Sequence, residues 1–299
     1  MRCVVSHDAG GAEMLASYLA RDGGEWATVL AGPAERIFRQ RLSALNIMSL
    51  DEAIEQSDEV LTGSGWQSDL EWSAIARAKA LGKRVVTYLD HWVNYRERFS
   101  RGGVEHLPDA IWVGDDYGLE RARKVFPEID VGFVANPYFE DIRDEMAQYV
   151  NTNRSRTSTE GLHVLFIAEP ISEHAKKAHN NPRHWGYTEF DALRFLFSKL
   201  DQLGGDIVSL TIRPHPAELP GKYDKISTEI DIGARIGGTK PLIQEIMQAD
   251  VVVGCASMAM IVGLLAGKRV VCAIPPGGQV CPLPHREIEH LALGTGFGE

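Results

Sequence analysis

The sequence has 299 residues, a length that suits two domains of about 150 residues each. Hydrophobic residues make up 44% and charged residues 24% of the chain, and the net charge of −10 argues against a general nucleic-acid-binding protein. The four cysteines are scattered without a CxxC pair, and no apolar run reaches the roughly 18 residues of a membrane span. We therefore expect a globular, cytoplasmic protein with reduced cysteines; peripheral membrane association and the oligomeric state stay open.

The first 150 residues alternate apolar runs with helical patterns. Strands are predicted at 3–6, 26–31, 59–62, 84–89, 110–113 and 131–134, and helices at 12–22, 34–45, 68–81 and 117–125. This alternation is typical of βαβ crossovers in a parallel, Rossmann-like sheet. Three strands end in polar or glycine-rich loops, at 7–11 (HDAGG), 63–65 (GSG) and 90–92 (DHW), and we expect these loops to gather at one edge of the sheet.

A polar stretch, 151–160 (NTNRSRTSTE), is predicted to be an interdomain linker or a long surface loop. The alternation resumes after it, with strands predicted at 162–168, 207–212, 249–253 and 269–273 and helices at 188–203, 242–248 and 258–266. The sequence thus predicts an α/β protein of two Rossmann-like domains, 1–150 and 161–299. The segment 172–187 holds three histidines whose spacing does not place them on one helix face, so we expect a mobile polar loop there and no metal site.

The strand at 207–212 ends in Arg213-Pro214-His215-Pro216. A guanidinium fork and an imidazole at the carboxyl edge of a parallel sheet suit a phosphate group, and the two prolines stiffen the turn. Arg213 and His215 are therefore predicted to bind phosphate. The alternatives are an ion pair for Arg213 and a surface position for His215.

A second strand end follows residue 253, in the turn Gly254-Cys255-Ala256-Ser257. The amides of Ser257 and Met258 are predicted to point at an anion from the start of the next helix. Ser257 as a simple helix cap is the alternative, and capping does not exclude phosphate contact. Thr239, in the GGTKP stretch before the helix at 242–248, is a further cap and donor-binding candidate.

Motifs of other nucleotide enzymes are absent from the sequence. The patterns G-x-G-x-x-G, G-x-x-x-x-G-K-[ST] and G-x-S-x-G do not occur, which disfavours a dinucleotide dehydrogenase, a P-loop enzyme and an α/β-hydrolase. The order RPHP, GGTKP and ADVVVG with a following serine resembles instead the donor domain of metal-independent glycosyltransferases of the GT-B fold. The His-Pro pair and serine turn resemble, more narrowly, bacterial sialyltransferases and related enzymes with CMP- or CDP-linked donors.

This resemblance implies two domains facing a central cleft and roles for the matching residues. In these families the His-Pro histidine and the serine turn contact the donor phosphate. The matching residues in this sequence are His215 and Ser257. The loop at 7–11 resembles their short acidic-glycine motif, whose carboxylate is the general base, and this makes Asp8 the base. The family motif usually carries two acidic residues before the glycine, whereas this chain has Asp8-Ala9-Gly10; Asp8 as a helix cap is the alternative.

Other residues complete the predicted site. Gly10 and Gly11 permit close approach of a ligand to the backbone and are candidates for donor binding. The candidates for the acceptor side or the cleft wall are His7, His91 and Trp92. No metal and no cofactor are expected beyond the nucleotide-sugar co-substrate.

The leading hypothesis is a glycosyltransferase that moves a sugar from a nucleotide donor onto a surface glycan or glycoconjugate. The donor is expected to be a cytidine-linked nonulosonic (sialic-acid-like) sugar, and the reaction metal-independent and inverting. One alternative is a sugar-nucleotide epimerase or hydrolase of the same fold. Another is a non-catalytic protein that binds nucleotide sugars.

Overall fold

The computed structural model describes residues 1–66, 68–152, 161–230 and 232–292. The chain forms two compact units, Met1–Asp141 and Ile142–Glu299. Of the predicted linker, residues 153–160 lie outside the described residues, and residues 151 and 152 form the last turn of a helix. Among the described residues, no helix is both long and apolar enough to cross a membrane.

The first unit is built on a seven-stranded sheet. Its elements are β1 (Arg2–Ser6), α1 (Ala9–Asp22), β2 (Trp26–Leu30), α2 (Pro33–Arg41), β3 (Asn46–Ile47), α3 (Leu50–Glu55), β4 (Glu59–Thr62), α4 (Leu70–Ala80), β5 (Arg84–Leu89), β6 (Ser100–Arg101), β7 (Val104–Glu105), β8 (Ala110–Val113), α5 (Asp116–Val125), β9 (Asp130–Phe133) and α6 (Pro137–Thr152), the last of which continues into the second unit. The strand order is β3-β2-β1-β4-β5-β8-β9, all parallel, and β6 and β7 form a separate hairpin.

The central strand β1 is apolar throughout its interior because helices cover both faces of the sheet. Val4 belongs to the core that includes Met14 and Leu15 of α1. Cys3 and Val5 point to the opposite face and belong to the core that includes Ile75 of α4. A strand buried on both faces has a continuous apolar run rather than an alternating one.

The second unit contains a six-stranded parallel sheet. Its elements are β10 (Leu162–Ile167), α7 (Ile171–His179), α8 (Glu189–Phe197), β11 (Ile207–Arg213), β12 (Ala234–Ile236), α9 (Leu242–Gln248), β13 (Val251–Gly254), α10 (Met258–Leu265), β14 (Arg269–Cys272) and β15 (Ile288–His290). The strand order is β12-β11-β10-β13-β14-β15. In both sheets the first strand therefore lies in the interior, as in doubly wound Rossmann folds, and the prediction of two Rossmann-like domains is confirmed.

One regular element contradicts the sequence prediction. The segment 172–187, expected to be a mobile polar loop, contains most of α7. Only Ile171 and Ala175 of this helix are buried, so its apolar signal is too sparse to reveal it. The short strands β3, β12 and β15 were not predicted either, because two or three residues give no readable period.

Candidate functional site

The carboxylate of Asp8 lies at the carboxyl end of β1 and is fixed by two donors. His7 Nδ1 lies 2.6 Å from one carboxylate oxygen, and the Trp66 amide donates to the other at 3.0 Å. Asp8 occupies the cap position of α1, but its side chain accepts no hydrogen bond from the helix. The contacts of Asp8 therefore do not fit the alternative in which its side chain caps α1. With 17% of the side chain exposed, the carboxylate keeps acceptor capacity for a further donor.

A buried glutamate that the sequence analysis did not select lies behind Asp8. Glu71, on α4, is 2% exposed and accepts from the His7 amide at 2.7 Å through Oε1. Its Oε2 has no hydrogen-bond partner among the described residues. Burial raises the pKa of Glu71, and the Asp8 charge adds to this shift. A Cβ on Gly65 would lie 2.8 Å from Glu71 Oε1 and 3.0 Å from Asp8 Cγ, so the two carboxyl groups flank this glycine.

A third carboxylate, Asp90, follows β5 at the same edge. Ser64 Oγ donates to it at 2.9 Å, and the Arg98 guanidinium lies 3.7 Å away. A Cβ on Gly10 would lie 2.5 Å from Asp90 Oδ2, so only glycine leaves room for this carboxylate at the start of α1. The loops after β1, β4 and β5 thus meet as predicted for neighbouring parallel strands.

His91 and Trp92 belong to the same region but lie deeper. Trp92 is 4% exposed, and its indole nitrogen donates to Asp115 at 2.8 Å, so the ring is not presented to solvent as a platform. Burial lowers the pKa of His91 to about 4, which keeps it neutral at pH 7. Trp66, in contrast, is 56% exposed beside Asp8.

In the second unit, His215 lies in a turn at the end of β11. Its amide donates to Glu218 Oε2 at 2.8 Å, and its Nδ1 accepts from the Ala217 amide at 3.2 Å. Burial lowers the pKa of His215, so the ring is neutral at pH 7. A neutral imidazole whose Nδ1 accepts must carry its proton on Nε2. His215 is therefore a hydrogen-bond donor rather than a cation.

Arg213 points to a carboxylate. Its guanidinium lies 2.7 Å from Glu245 Oε2 and donates to the Lys240 carbonyl at 2.9 Å. These contacts fit the alternative prediction, an ion pair for Arg213. Phosphate binding by Arg213 stays a prediction. Thr239 is exposed and lines a cavity of about 580 Å³ over β10, β11 and β12, which also includes Arg235 and Glu245. This cavity does not include His215 or Ser257.

The turn after β13 already binds a carboxyl group from within the chain. The Ala256 amide donates to Glu169 Oε1 at 2.8 Å, and the amides of Cys255 and Ser257 also favour the charged carboxylate. Burial outweighs these donors and raises the pKa of Glu169 to about 7. Ser257 caps α10 by accepting from the Ala259 amide at 3.2 Å, and Met258 is the first residue of that helix. Glu169, two residues after the end of β10, is a candidate that the sequence reasoning missed.

Three acidic side chains next to His215 surround an ammonium group. Lys222 Nζ lies 2.6 Å from Glu173, 2.5 Å from Glu189 and 2.7 Å from Glu218. The oxygens of these carboxylates are close enough together for a metal ion. Because Lys222 occupies the centre of the group, we assign no metal site to it. Through Glu218, the same cluster holds the His215 turn in place.

Solved structures share this fold at low sequence identity. The chain is similar to a UDP-GlcNAc 2-epimerase from Methanocaldococcus jannaschii, with 10% identity, 91% of this chain and 83% of that chain covered, and a TM-score of 0.56. It is also similar to MnaA of S. aureus in a structure with UDP, with 11% identity, coverage of 93% and 80%, and a TM-score of 0.57. A third is the glycotransferase of kitacinnamycin, with 14% identity, coverage of 93% and 81%, and a TM-score of 0.53.

No protein-family profile matches this sequence, and no curated protein does. At such low identity, the likeness of the solved structures shows the fold alone. The fold is that of the GT-B proteins, with two Rossmann-like domains, as the sequence predicted.

Proposed function

We propose that the protein is a glycosyltransferase that uses a nucleotide sugar, with Asp8 as the base that accepts the proton of the acceptor hydroxyl. One observation carries the proposal: the Asp8 carboxylate is fixed by His7 and Trp66, yet no helix amide binds it. A carboxylate held in this way and partly open to solvent is suited to general-base catalysis. Nothing in the contacts of α1 requires an acid at this position.

The donor phosphate is assigned to the second unit. Negative charge grows on the phosphate as the sugar leaves, and fixed donors stabilise it. Nε2–H of His215 supplies one donor at the end of β11. The Ser257 hydroxyl supplies another, since its oxygen accepts from Ala259 and its proton has no acceptor among the described residues. Arg213 contributes less, because Glu245 balances its charge.

The finer parts of the proposal rest on the sequence resemblance. They are a cytidine-linked nonulosonic sugar as donor, a glycan or glycoconjugate acceptor, inversion at the sugar carbon, independence of metals and cofactors, and a place in polysaccharide biosynthesis in the cytoplasm. Thermal unfolding in the presence of CMP, CDP, UDP, GDP and their sugar forms tests the donor. Stabilisation by cytidine nucleotides alone supports the choice of base, and stabilisation by uridine nucleotides alone contradicts it.

The catalytic assignment is tested with Asp8→Asn. Loss of a general base is expected to lower kcat by about 10²–10⁴-fold while the donor still binds. Asp51→Asn, at an exposed position of α3, is the matched control and is expected to keep full activity. Turnover that survives both Asp8→Asn and His215→Ala would show that other residues are catalytic. A wild-type protein that binds a nucleotide sugar without turning it over would instead be a non-catalytic binding protein.

A second candidate function, a nucleotide-sugar epimerase or hydrolase, is favoured by the carboxyl groups around Asp8. Such an enzyme needs both an acid and a base, and Glu71 holds its proton more tightly than an ordinary glutamate. Product analysis separates the two functions. An epimerase or hydrolase consumes the nucleotide sugar without an acceptor, whereas the transferase requires one.

A further inference from the structure

Two cysteines of the second unit meet at one backbone oxygen. Cys272 ends β14, and Cys281 lies in the irregular stretch between β14 and β15. Their sulfur atoms are 3.5 Å and 3.2 Å from the carbonyl oxygen of Cys255. They are thus a pair of neighbouring thiols on segments that are otherwise separate.

The two members of the pair differ in access and in acidity. Cys272 is buried, whereas Cys281 is half-buried and follows Val280, whose side chain is 82% exposed. When Cys281 is ionised, the Cys272 thiol can donate to it in place of the Cys255 carbonyl, and this hydrogen bond and the Leu283 amide lower the pKa of Cys281. The same hydrogen bond and burial raise the pKa of Cys272. A half-buried thiol with a lowered pKa, backed by a buried thiol, is typical of a redox-reactive cysteine and its resolving partner.

We propose that Cys281 and Cys272 form a redox pair, in which Cys281 reacts with hydrogen peroxide and Cys272 then closes an intramolecular disulfide. In the first step the sulfur of Cys281 attacks the O–O bond, an S–O bond forms, and one water leaves. In the second step the sulfur of Cys272 attacks that of Cys281, the S–S bond forms, and the hydroxyl leaves as a second water. Two thiols lose two electrons and two protons, which reduce one hydrogen peroxide to two waters.

The disulfide has a structural consequence for the neighbouring turn. The Cys255 carbonyl loses both of its thiol donors, and Cys255 begins the turn that holds Glu169 and Ser257. Oxidation therefore acts on the carboxyl edge of the second sheet. The redox chemistry itself does not depend on the proposed function.

The test treats the reduced, full-length protein with hydrogen peroxide and counts thiols after denaturation. The count is expected to fall from the four cysteines of the sequence to two, with peptide mapping showing a Cys272–Cys281 link. In Cys272→Ala the resolving thiol is missing, so Cys281 is expected to remain a sulfenic acid that dimedone labels. In Cys281→Ala all three remaining thiols are expected to survive.

Cys3 is the internal control, because burial raises its pKa to about 12 and makes it unreactive. Three results would overturn the proposal: a wild-type count that stays at four, equal dimedone labelling of Cys281 in wild type and Cys272→Ala, or a disulfide between different chains. If Cys272→Ala does not fold, the peptide map of the wild type and the Cys281→Ala count decide the question.

Discussion

Replacing Glu169 by glutamine is expected to remove a pH dependence of stability. The pKa of this carboxyl is raised from an ordinary 4.5 to about 7, so between these values the folded state binds a proton that the unfolded state has lost. Stability therefore falls as the pH rises through this window. At about 1.4 kcal/mol per pKa unit, the fall is about 3 kcal/mol and is complete above pH 7.

The glutamine variant has the shape of the protonated acid and no charge to lose. Urea unfolding at pH 5 to 8, followed by circular dichroism, is expected to show that Glu169→Gln lacks the fall and is more stable than wild type at pH 8. Glu173→Gln is the matched control: it removes an exposed carboxylate whose pKa Lys222 lowers, so the fall between pH 5 and 8 remains and stability decreases. The reasoning would be refuted if the free energy of unfolding changed with pH in the same way for wild type and Glu169→Gln. The turn amides would then keep the carboxylate charged from pH 5 to 8.

Three further changes test other parts of the structure. Gly65→Ala places a methyl group against the carboxyl groups of Asp8 and Glu71 and is expected to lower kcat about 10²-fold with the donor affinity retained; an unchanged kcat would contradict the role of Asp8. Lys222→Met leaves three carboxylates without their cation and is expected to cost about 3–5 kcal/mol in urea unfolding, whereas a cost below 1 kcal/mol would show that the carboxylates are protonated. If neutral His215 donates to the phosphate, kcat/KM is expected to stay level from pH 7 to 8, and a tenfold fall there would indicate a charged imidazole.

The sequence predicted the layer structure well because strands buried on both faces leave continuous apolar runs. The runs at β1 and β13 end in glycine and polar residues, which placed Asp8 and Ser257 at strand ends. Contacts between distant segments left no such signal. Nothing in the run up to residue 168 indicates that the next residue, Glu169, fills the turn at Ala256, which lies 87 residues further along the chain.

Charge pairing between distant residues is the other feature that the sequence does not reveal. A guanidinium at the end of a strand suits a phosphate or a carboxylate equally well, and only the fold brings Glu245 to Arg213. In the same way, the acidic residues around Lys222 come from α7, α8 and the loop after β11. The local sequence shows which functional group lies at a position, whereas the tertiary structure determines which residue that group interacts with.

The interior position of β1 and β10 determines the order in which the sheets can form. β1 pairs with β2 on one side and with β4 on the other, so one of its edges has no partner until Glu59–Thr62 has been synthesised. β10 needs β13, and its second edge is closed only when Val251–Gly254 has been synthesised. Parallel pairing across such separations is slow, and an open apolar strand edge promotes aggregation. The second unit therefore leaves an edge of its first strand unpaired over a longer stretch of synthesis than the first unit does.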